Sequence, residues 1–410
     1  MNSKEIDLDD IEGNSFPGII IWIRGDYVNP RAIKIGIIGG GQLGKMLIQE
    51  AKKMDFTVIV LDPSKNSPCK KIADKHIEGD LHDEDKIKEL VKKCDVTTFE
   101  IENINTEVLS KLEDKGHKIF PSPKILEIIK DKSKQKEFLD KNNIPTSKWE
   151  RITHIEKTAN NLGMPFVQKA CCGGYDGRGV QVINGQDDFK NSLKGDSFGE
   201  KYVDFKKELA VMVSRNINGD IKSFPVVEMD FNHGENICDT IIAPAKVSKD
   251  IEKRAKKLAL ECIKAFDGIG VFGVEMFLTK NDEILINEIA PRVHNSGHYT
   301  IESCTTSQFE QHIRCICGLP LGSTELILPS VVTNILGEEN QYGEPYYKGM
   351  TEALEIPGVN VHIYGKSEVK PFRKMGHVTV VDKDRERAIK KSNDVKNILK
   401  AISKKGANNE

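Results

Sequence analysis

Short apolar runs broken by glycine or by charged stretches organise the first third of the chain. Residues 33–38 (IKIGII), 56–62 (FTVIVLD) and 95–102 (DVTTFEIE) are the length and composition of buried strands. Helical, lysine- and glutamate-rich segments separate them, so residues 33 to 125 predict strands and helices alternating around a parallel sheet, with a last short strand at 118–120. The helix that follows Pro123 carries Asp131, Lys132, Lys134, Gln135 and Lys136, and Ile144 with Pro145 marks a boundary.

Beyond that boundary the pattern changes. In 166–183 (FVQKACCGGYDGRGVQVI) a strand ends at Lys169 and a loop follows with Gly173, Gly174, Gly177 and Gly179. Glycines let a backbone fold closely over phosphates and present its N–H groups, and Lys169 adds a fixed positive charge. A plain hairpin with a surface lysine is the competing reading. Glu200, Lys201, Tyr202 and Val203 precede another strand opened by Glu208. An adenine needs an apolar slot with backbone donors and acceptors and a ribose needs a carboxylate, which Tyr202, Val203 and Glu208 can supply.

The chemistry concentrates further on. In 273–288 (GVEMFLTKNDEILINE), Glu275 and Glu288 interrupt two apolar strands joined by the polar stretch 279–282, which reads as a hairpin connection. That geometry brings two carboxylates within a few Å, where repulsion and desolvation demand a positive partner. Each acid could pair with a lysine or arginine. Two of them, leading into Arg292, His294, Asn295 and His298, point instead to magnesium held by carboxylates with positions open for phosphate.

Bulk composition leaves this reading open. The 410 residues suffice for two or three domains, and 60 Lys plus Arg against 62 Asp plus Glu give a net charge of −2, so no global field points to nucleic acid or an anionic membrane. Nine cysteines without a CxxC pair make neither a disulfide framework nor a zinc knuckle and fit a reducing cytoplasm. The apolar run 18–23 is far short of a bilayer span and lacks a basic flank, so residues 1–32 read as an amino-terminal extension.

Gly39, Gly41 and Gly44 match G-x-G-x-x-G after a strand, and Asp62 ends the next strand near the ~20-residue spacing of a dinucleotide fingerprint. The pattern reports a tight turn and close helix packing, of which anion binding is one use. A dehydrogenase is therefore an alternative, without a constellation suited to hydride transfer.

Taken in order, the GGGQLG turn, the KACCGGYDGRG loop, the EKYVDF and KEL segments, the VEMF strand and the INEIAPRVHNSGHYTIE block resemble the ATP-grasp superfamily. Within it the chain resembles the 5-(carboxyamino)imidazole ribonucleotide synthases of purine biosynthesis, over about residues 33–381. APRVHNSGH followed by TSQFEQHIRCICGLPLG, and the late IYGKSEVKPFRKMGHVTVV, carry the narrower likeness.

The resemblance implies an α/β ATP-grasp fold with an amino-terminal Rossmann-like parallel-sheet domain, an α+β lid and a carboxy-terminal β module. The expected division is 1–32 extension, 33–144 parallel domain, 145–208 lid, 209–329 metal and substrate domain, 330–385 β module and 386–410 a Lys-rich surface helix with a frayed tail. The implied reaction is ATP- and bicarbonate-dependent carboxylation of the exocyclic amine of aminoimidazole ribonucleotide through carboxyphosphate, in a homodimer. Another ATP-grasp ligase of nucleotide metabolism is the alternative.

The residues carried over follow the motifs. Metal falls to Glu275 and Glu288, and ATP to Lys132, Lys169, Gly174, Tyr175, Asp176, Gly177, Arg178, Gly179, Glu200, Lys201, Tyr202, Val203, Glu208, Asn287 and Glu288. Arg292, expected to grip an anionic carboxylate through its fork, joins His294 and Asn295 around bicarbonate and the amine. Tyr175, Asp176, Arg178, His298, Lys366 and Arg373 meet the ribonucleotide, the last two as a phosphate clamp. The sequence departs from the family at Lys132, where an arginine is frequent, at Cys171 and Cys172, whose thiolates a nearby Lys169 or Arg178 would activate, and around Glu228 and His233.

Overall fold

The computed structural model describes residues 29–174, 179–232 and 237–404. Its first layer is a four-stranded parallel sheet of β1 (Lys34–Ile38), β2 (Thr57–Asp62), β3 (Lys75–Glu78) and β4 (Val96–Phe99) in the order β3-β2-β1-β4. β1 is almost wholly buried and β4 wholly so, as expected of strands with helices over both faces. The strand read at 95–102 is shorter, because Glu100 leaves the ladder after its N–H bonds Ile38 O at 3.0 Å. The strand read at 118–120 shrinks to a single parallel bridge between Thr97 and Ile119. The helix expected after Pro123 is two helices, Pro123–Ile129 and Lys132–Lys141. Asp131 separates them, its carboxylate accepting the N–H groups of Ser133 and Lys134 as an N-cap.

A second, small sheet pairs β5 (Trp149–Arg151), β6 (Phe166–Ala170), β7 (Val180–Ile183) and β8 (Ser197–Lys201) in the order β5-β8-β6-β7. Its core is modest: Ala159, Leu162, Phe166 and Ile183 form a cluster of their own. The turn carrying Gly173 and Gly179, at φ +77° and +76°, joins β6 to β7. Residues 175–178, and with them Tyr175, Asp176, Gly177 and Arg178, lie outside the described residues.

The third sheet has nine strands and dominates the molecule. It contains β9 (Phe205–Arg215), β10 (Ile221–Ser223), β11 (Val227–Asn232), β12 (Ile237–Ala243), β13 (Gly270–Thr279), β14 (Ile284–Ala290) and β15 (Ser330–Leu336). After β16 (Pro345–Lys348), β17 (Val359–Ile363) and β18 (Lys374–Val381) extend the same sheet, in the order β14-β13-β9-β11-β12-β15-β18-β17, so the carboxy-terminal strands continue the central sheet. Alternation along β9 divides two cores: Leu209, Val211 and Val213 pack under the helix Lys249–Phe266, whereas Ala210 and Met212 face the core shared with the helices Gln42–Lys53 and Gln308–Ile316.

The Lys-rich end is less peripheral than its composition suggests. The helix Arg385–Ile398 buries Ala388, Ser392 and Val395, spaced as one helical face, and β19 (Lys400–Ser403) then pairs with β16. Among the described residues no helix is long and apolar enough to cross a membrane.

Candidate active site

The β13–β14 hairpin fixes the two glutamates. Thr279 N–H bonds Glu283 O at 2.9 Å, Asp282 takes φ +64° in the connection, and the register then places Glu275 directly opposite Glu288. One residue later it slips, Met276 pairing with Ile286, so Asn287 is a β-bulge. A bulge turns two successive side chains to one side. Asn287 and Glu288 are accordingly both half-buried in an otherwise alternating strand. Across the sheet Phe277 opposes Glu208, which puts Glu208 on the same face as Glu275.

Of the three acids on this face, Glu275 feels the other two. The Glu275 carboxyl is pushed up to about 8, by burial first and then by Glu288 and Glu208. Glu208 rises to about 7 through burial. Glu288 lies below the ordinary range: burial works against it, but Lys132 outweighs that with an ion pair of 2.6 Å. Among the described residues the competing reading is thus realised as a direct ion pair with a lysine for Glu288, while Glu275 meets the His294 ring, Nε2 to Oε1 at 3.6 Å. A facing carboxylate pair with an under-neutralised member and hard oxygen donors fits magnesium, which takes one or two carboxylates and fills its remaining positions with phosphate and water. No cage of three or more His, Cys, Asp or Glu is present among the described residues.

The lid contributes Lys169. Its ammonium donates to Asn287 Oδ1 at 3.0 Å and pairs with Glu200 at 2.6 Å, linking the small sheet to the bulge. Glu200 is buried and also accepts from Lys136 and Ser147. Burial raises its pKa, but Lys169 and Lys136 overcome this and bring it down to about 2. Its carboxylate is therefore committed to an internal ion cluster. Of its neighbours, Lys201 and Tyr202 are exposed and Val203 is half-buried, along the connection to β9. Lys132 N–H bonds Cys171 O at 2.8 Å, tying the start of its helix to the lid loop where Gly174 and Gly179 approach each other.

Arg292 behaves differently from expectation. Its Nε and Nη2 both reach Glu102 Oε1 at 2.7 Å, and Nη1 donates to Val293 O at 3.1 Å. The fork expected to grip a substrate carboxylate grips an internal one, and it ties the parallel-sheet layer to the central sheet. Next to it His294 is depressed to about 3, by burial and then by Arg292 and Lys374. Asn295 opens a short turn, half-buried. His298 is buried, stacked on His377 at 4.5 Å, and meets Gln308 Nε2 at 3.3 Å through Nδ1. His377 stacks in turn on His362, which bonds Glu302 at 2.6 Å.

Lys366 and Arg373 line one pocket with Gly40, Gly41, Ser64 and Asn66. The glycine turn is thus part of this pocket, though not as a dinucleotide cradle. Glu100 occupies the helix start, accepting the N–H of Gly41 at 2.7 Å and of Gly44 at 3.1 Å, while Asp62 accepts that of Gly40 at 2.8 Å. A Cβ on Gly41 would meet Glu100 Oε1 at 2.6 Å, so that glycine makes room for this carboxylate. The dehydrogenase alternative loses its pyrophosphate position to the chain's own side chain.

Other expectations also move. Burial raises both the Cys171 and Cys172 thiols above their ordinary value, so neither is an activated thiolate. Glu228 pairs with Lys207 and Arg385 in a structural cluster, and His233 lies outside the described residues. Sequence reading passed over Glu100, Glu102 and Gln308, and it placed Lys136 on its helix without a role. A glutamate ending each of two apolar dipeptide steps in FEIE was the available signal for the first two.

A nine-stranded sheet under a four-stranded lid, with paired glutamates beneath a lid lysine, defines an ATP-grasp protein, and the ATP-grasp domain family matches residues 137–309. The ribonucleotide synthetase preATP-grasp domain matches 32–130 and the phosphoribosylaminoimidazole carboxylase C-terminal domain 330–391. A crystal structure of N5-carboxyaminoimidazole ribonucleotide synthetase from Thermotoga maritima is 52% identical, with TM-score 0.85, covering 91% of this chain and 100% of that one. The Aspergillus clavatus N5-carboxyaminoimidazole synthase in complex with ADP and 5-aminoimidazole ribonucleotide is 38% identical, with TM-score 0.81, covering 88% and 96%. The phosphoribosylaminoimidazole carboxylase of Ogataea methanolica is 43% identical over 363 residues, 85% of this chain, and the chain spans only 66% of that relative's length. The chain belongs to the N5-carboxyaminoimidazole ribonucleotide synthase family.

Proposed function

We propose that this chain is an ATP-dependent carbon–nitrogen ligase of purine biosynthesis. It carboxylates the exocyclic amine of 5-aminoimidazole ribonucleotide with bicarbonate, giving 5-(carboxyamino)imidazole ribonucleotide, ADP and phosphate. The observation that carries the reading is the Glu275–Glu288 pair on one face with Lys132, Lys169 and Asn287, together with a separate pocket lined by Lys366 and Arg373. One cluster suits a triphosphate and the other a nucleoside monophosphate.

Phosphoryl transfer needs positioning and charge neutralisation more than covalent help. Lys169 and Lys132 supply fixed positive charge, and the glycine turn between β6 and β7 can cover the phosphates. Glu275 and Glu288 would hold magnesium, which when bound offsets the negative charge of the ATP phosphates. Carboxyphosphate, formed from bicarbonate and the γ-phosphate, is labile in water, so the cleft under the lid must exclude solvent. Arg292, oriented by Glu102, adds a positive field there, and Lys374 lies close enough to depress His294. Lys366 and Arg373 would hold the ribonucleotide 5′-phosphate in the pocket they line beside Gly40 and Gly41. The eight cysteines whose side chains are described are free, which suits a reducing cytoplasm.

Phosphate release from ATP with bicarbonate, measured with and without 5-aminoimidazole ribonucleotide, tests the assignment. Stimulation by that nucleotide supports it, and stimulation by a different amine alone assigns the chain to another ligase.

A further inference from the structure

We propose that Lys45 is a positioning residue for the reaction: it braces the loop carrying Lys366 and Arg373 against the glycine turn and so sets the width of the anion pocket between them. The proposal rests on the functional reading above.

The pocket has walls from two sheets. Gly40 and Gly41 belong to the parallel-sheet layer, while Lys366, Ser367 and Arg373 come from the connection 364–373 between β17 and β18 of the central sheet. The N–H groups of Gly40 and Gly41 are already committed to Asp62 and Glu100. Fixed charge for a bound phosphate therefore comes from the connection, and its placement over the glycine turn decides whether one anion can meet both cations.

Within the connection the two cations are held in place. Lys366 Nζ donates to Lys374 O at 2.7 Å, and Arg373 Nη1 donates to Glu368 O at 2.7 Å. The backbone is tied by Phe372 N–H to Gly337 O at 2.8 Å and by Val369 N–H to Gly343 O at 2.8 Å. Those anchors lie between β15 and β16, in the same carboxy-terminal part of the chain, so they leave the distance to the glycine turn unset.

Lys45 supplies the missing tie. It stands in the first turn of the helix Gln42–Lys53, next to Gly44, and its ammonium donates at 2.8 Å to the carbonyl of Ile363, the last residue of β17. A Cβ on Gly365 would lie 3.5 Å from Lys45 Nζ, so the ammonium rests against the connection itself. A lysine gains nothing from this position on its own account, because the positive end of the helix dipole disfavours it and burial lowers its pKa. The bond to a carbonyl 318 residues away is what the position serves.

Two measurements test this. In the ligand-free full chain, hydrogen–deuterium exchange of the amides in 364–373 should speed up in Lys45→Met. Unchanged exchange there, or a rise shared equally by strands β1 to β4, overturns the brace. In turnover, Lys45→Met should raise KM for 5-aminoimidazole ribonucleotide about 10-fold, with KM for ATP and kcat close to the parent's. Lys45→Arg, which keeps a long cationic donor, should bring that KM back toward the parent's. A methionine variant with the parent's KM for the ribonucleotide, or with both KM values raised alike, overturns the positioning role. A parent whose phosphate release ignores the ribonucleotide fails the functional reading, and the exchange result then decides the brace by itself.

Discussion

Glu275 and Glu288 face each other across the β13–β14 hairpin, one residue before the register slips at Asn287. The bulge lets the second strand present Asn287 and Glu288 together, so Lys169 and Lys132 each find a partner beside the same carboxylate pair. What remains under-neutralised is Glu275, and its environment yields the first prediction. With its carboxyl raised from 4.5 to about 8, the folded state prefers the protonated form, so this group's contribution to stability falls as pH climbs between those values. Glu275→Gln should therefore raise the unfolding temperature of magnesium-free protein at pH 8 by a few degrees, on the order of 1–3 kcal/mol, while abolishing turnover. Magnesium should stabilise the parent and not the variant. Thermal scans in chelator and in magnesium check both, and an unchanged or lower midpoint for the variant in chelator contradicts the account.

Glu200 behaves in the opposite sense. Its pKa is held at about 2, so its contribution is complete above its ordinary 4.5 and is lost as pH falls between the two. Glu200→Gln leaves Lys136 and Lys169 without their shared counter-charge and should cost about 3–5 kcal/mol by denaturant unfolding at neutral pH. The cost should shrink toward pH 2. A variant as stable as the parent at neutral pH would show that the cluster is not structural.

The glycine turn offers a paired comparison. Gly39→Ala requires φ +95° and brings a Cβ within 2.7 Å of Glu100, whereas Gly116→Ala requires a similar φ, +91°, with nothing within 4 Å. Backbone strain alone costs ~1 kcal/mol or more, so Gly39→Ala should be the more destabilising by at least ~1 kcal/mol. Equal costs in urea unfolding would mean that Glu100 does not hold that space.

The pocket of Lys366 and Arg373 predicts a split in kinetics. Replacing either by Ala should raise KM for the phosphate-bearing substrate about 10- to 100-fold, as for loss of a charge-assisted hydrogen bond, with a much smaller effect on KM for ATP. Steady-state kinetics with each substrate varied would decide it, and a rise confined to ATP would place both residues elsewhere.

Much of this site is legible in the chain because the paired glutamates break apolar runs, and such breaks are costly unless they serve a charge. The hairpin connection was readable for the same reason, from the polar stretch between two strands. The partners of Glu100 and Gln308 were not readable, since they lie 59 and 14 residues away and are met only through the parallel pairing of β1 with β4 and the docking of the helix Gln308–Ile316. The fingerprint glycines misled for a physical reason. Strand, tight turn and close helix packing impose the same glycine spacing whether the anion at the helix start is a cofactor phosphate or the chain's own carboxylate.

The central claim is that ATP cleavage here is spent on joining bicarbonate to the amine of 5-aminoimidazole ribonucleotide. Incubation of the chain with 13C-bicarbonate, ATP, magnesium and that nucleotide, followed by 13C NMR, tests it most directly. A new carbamate resonance should grow in step with ADP and be absent for Glu288→Gln. ADP accumulating without a carbamate carbon would contradict it.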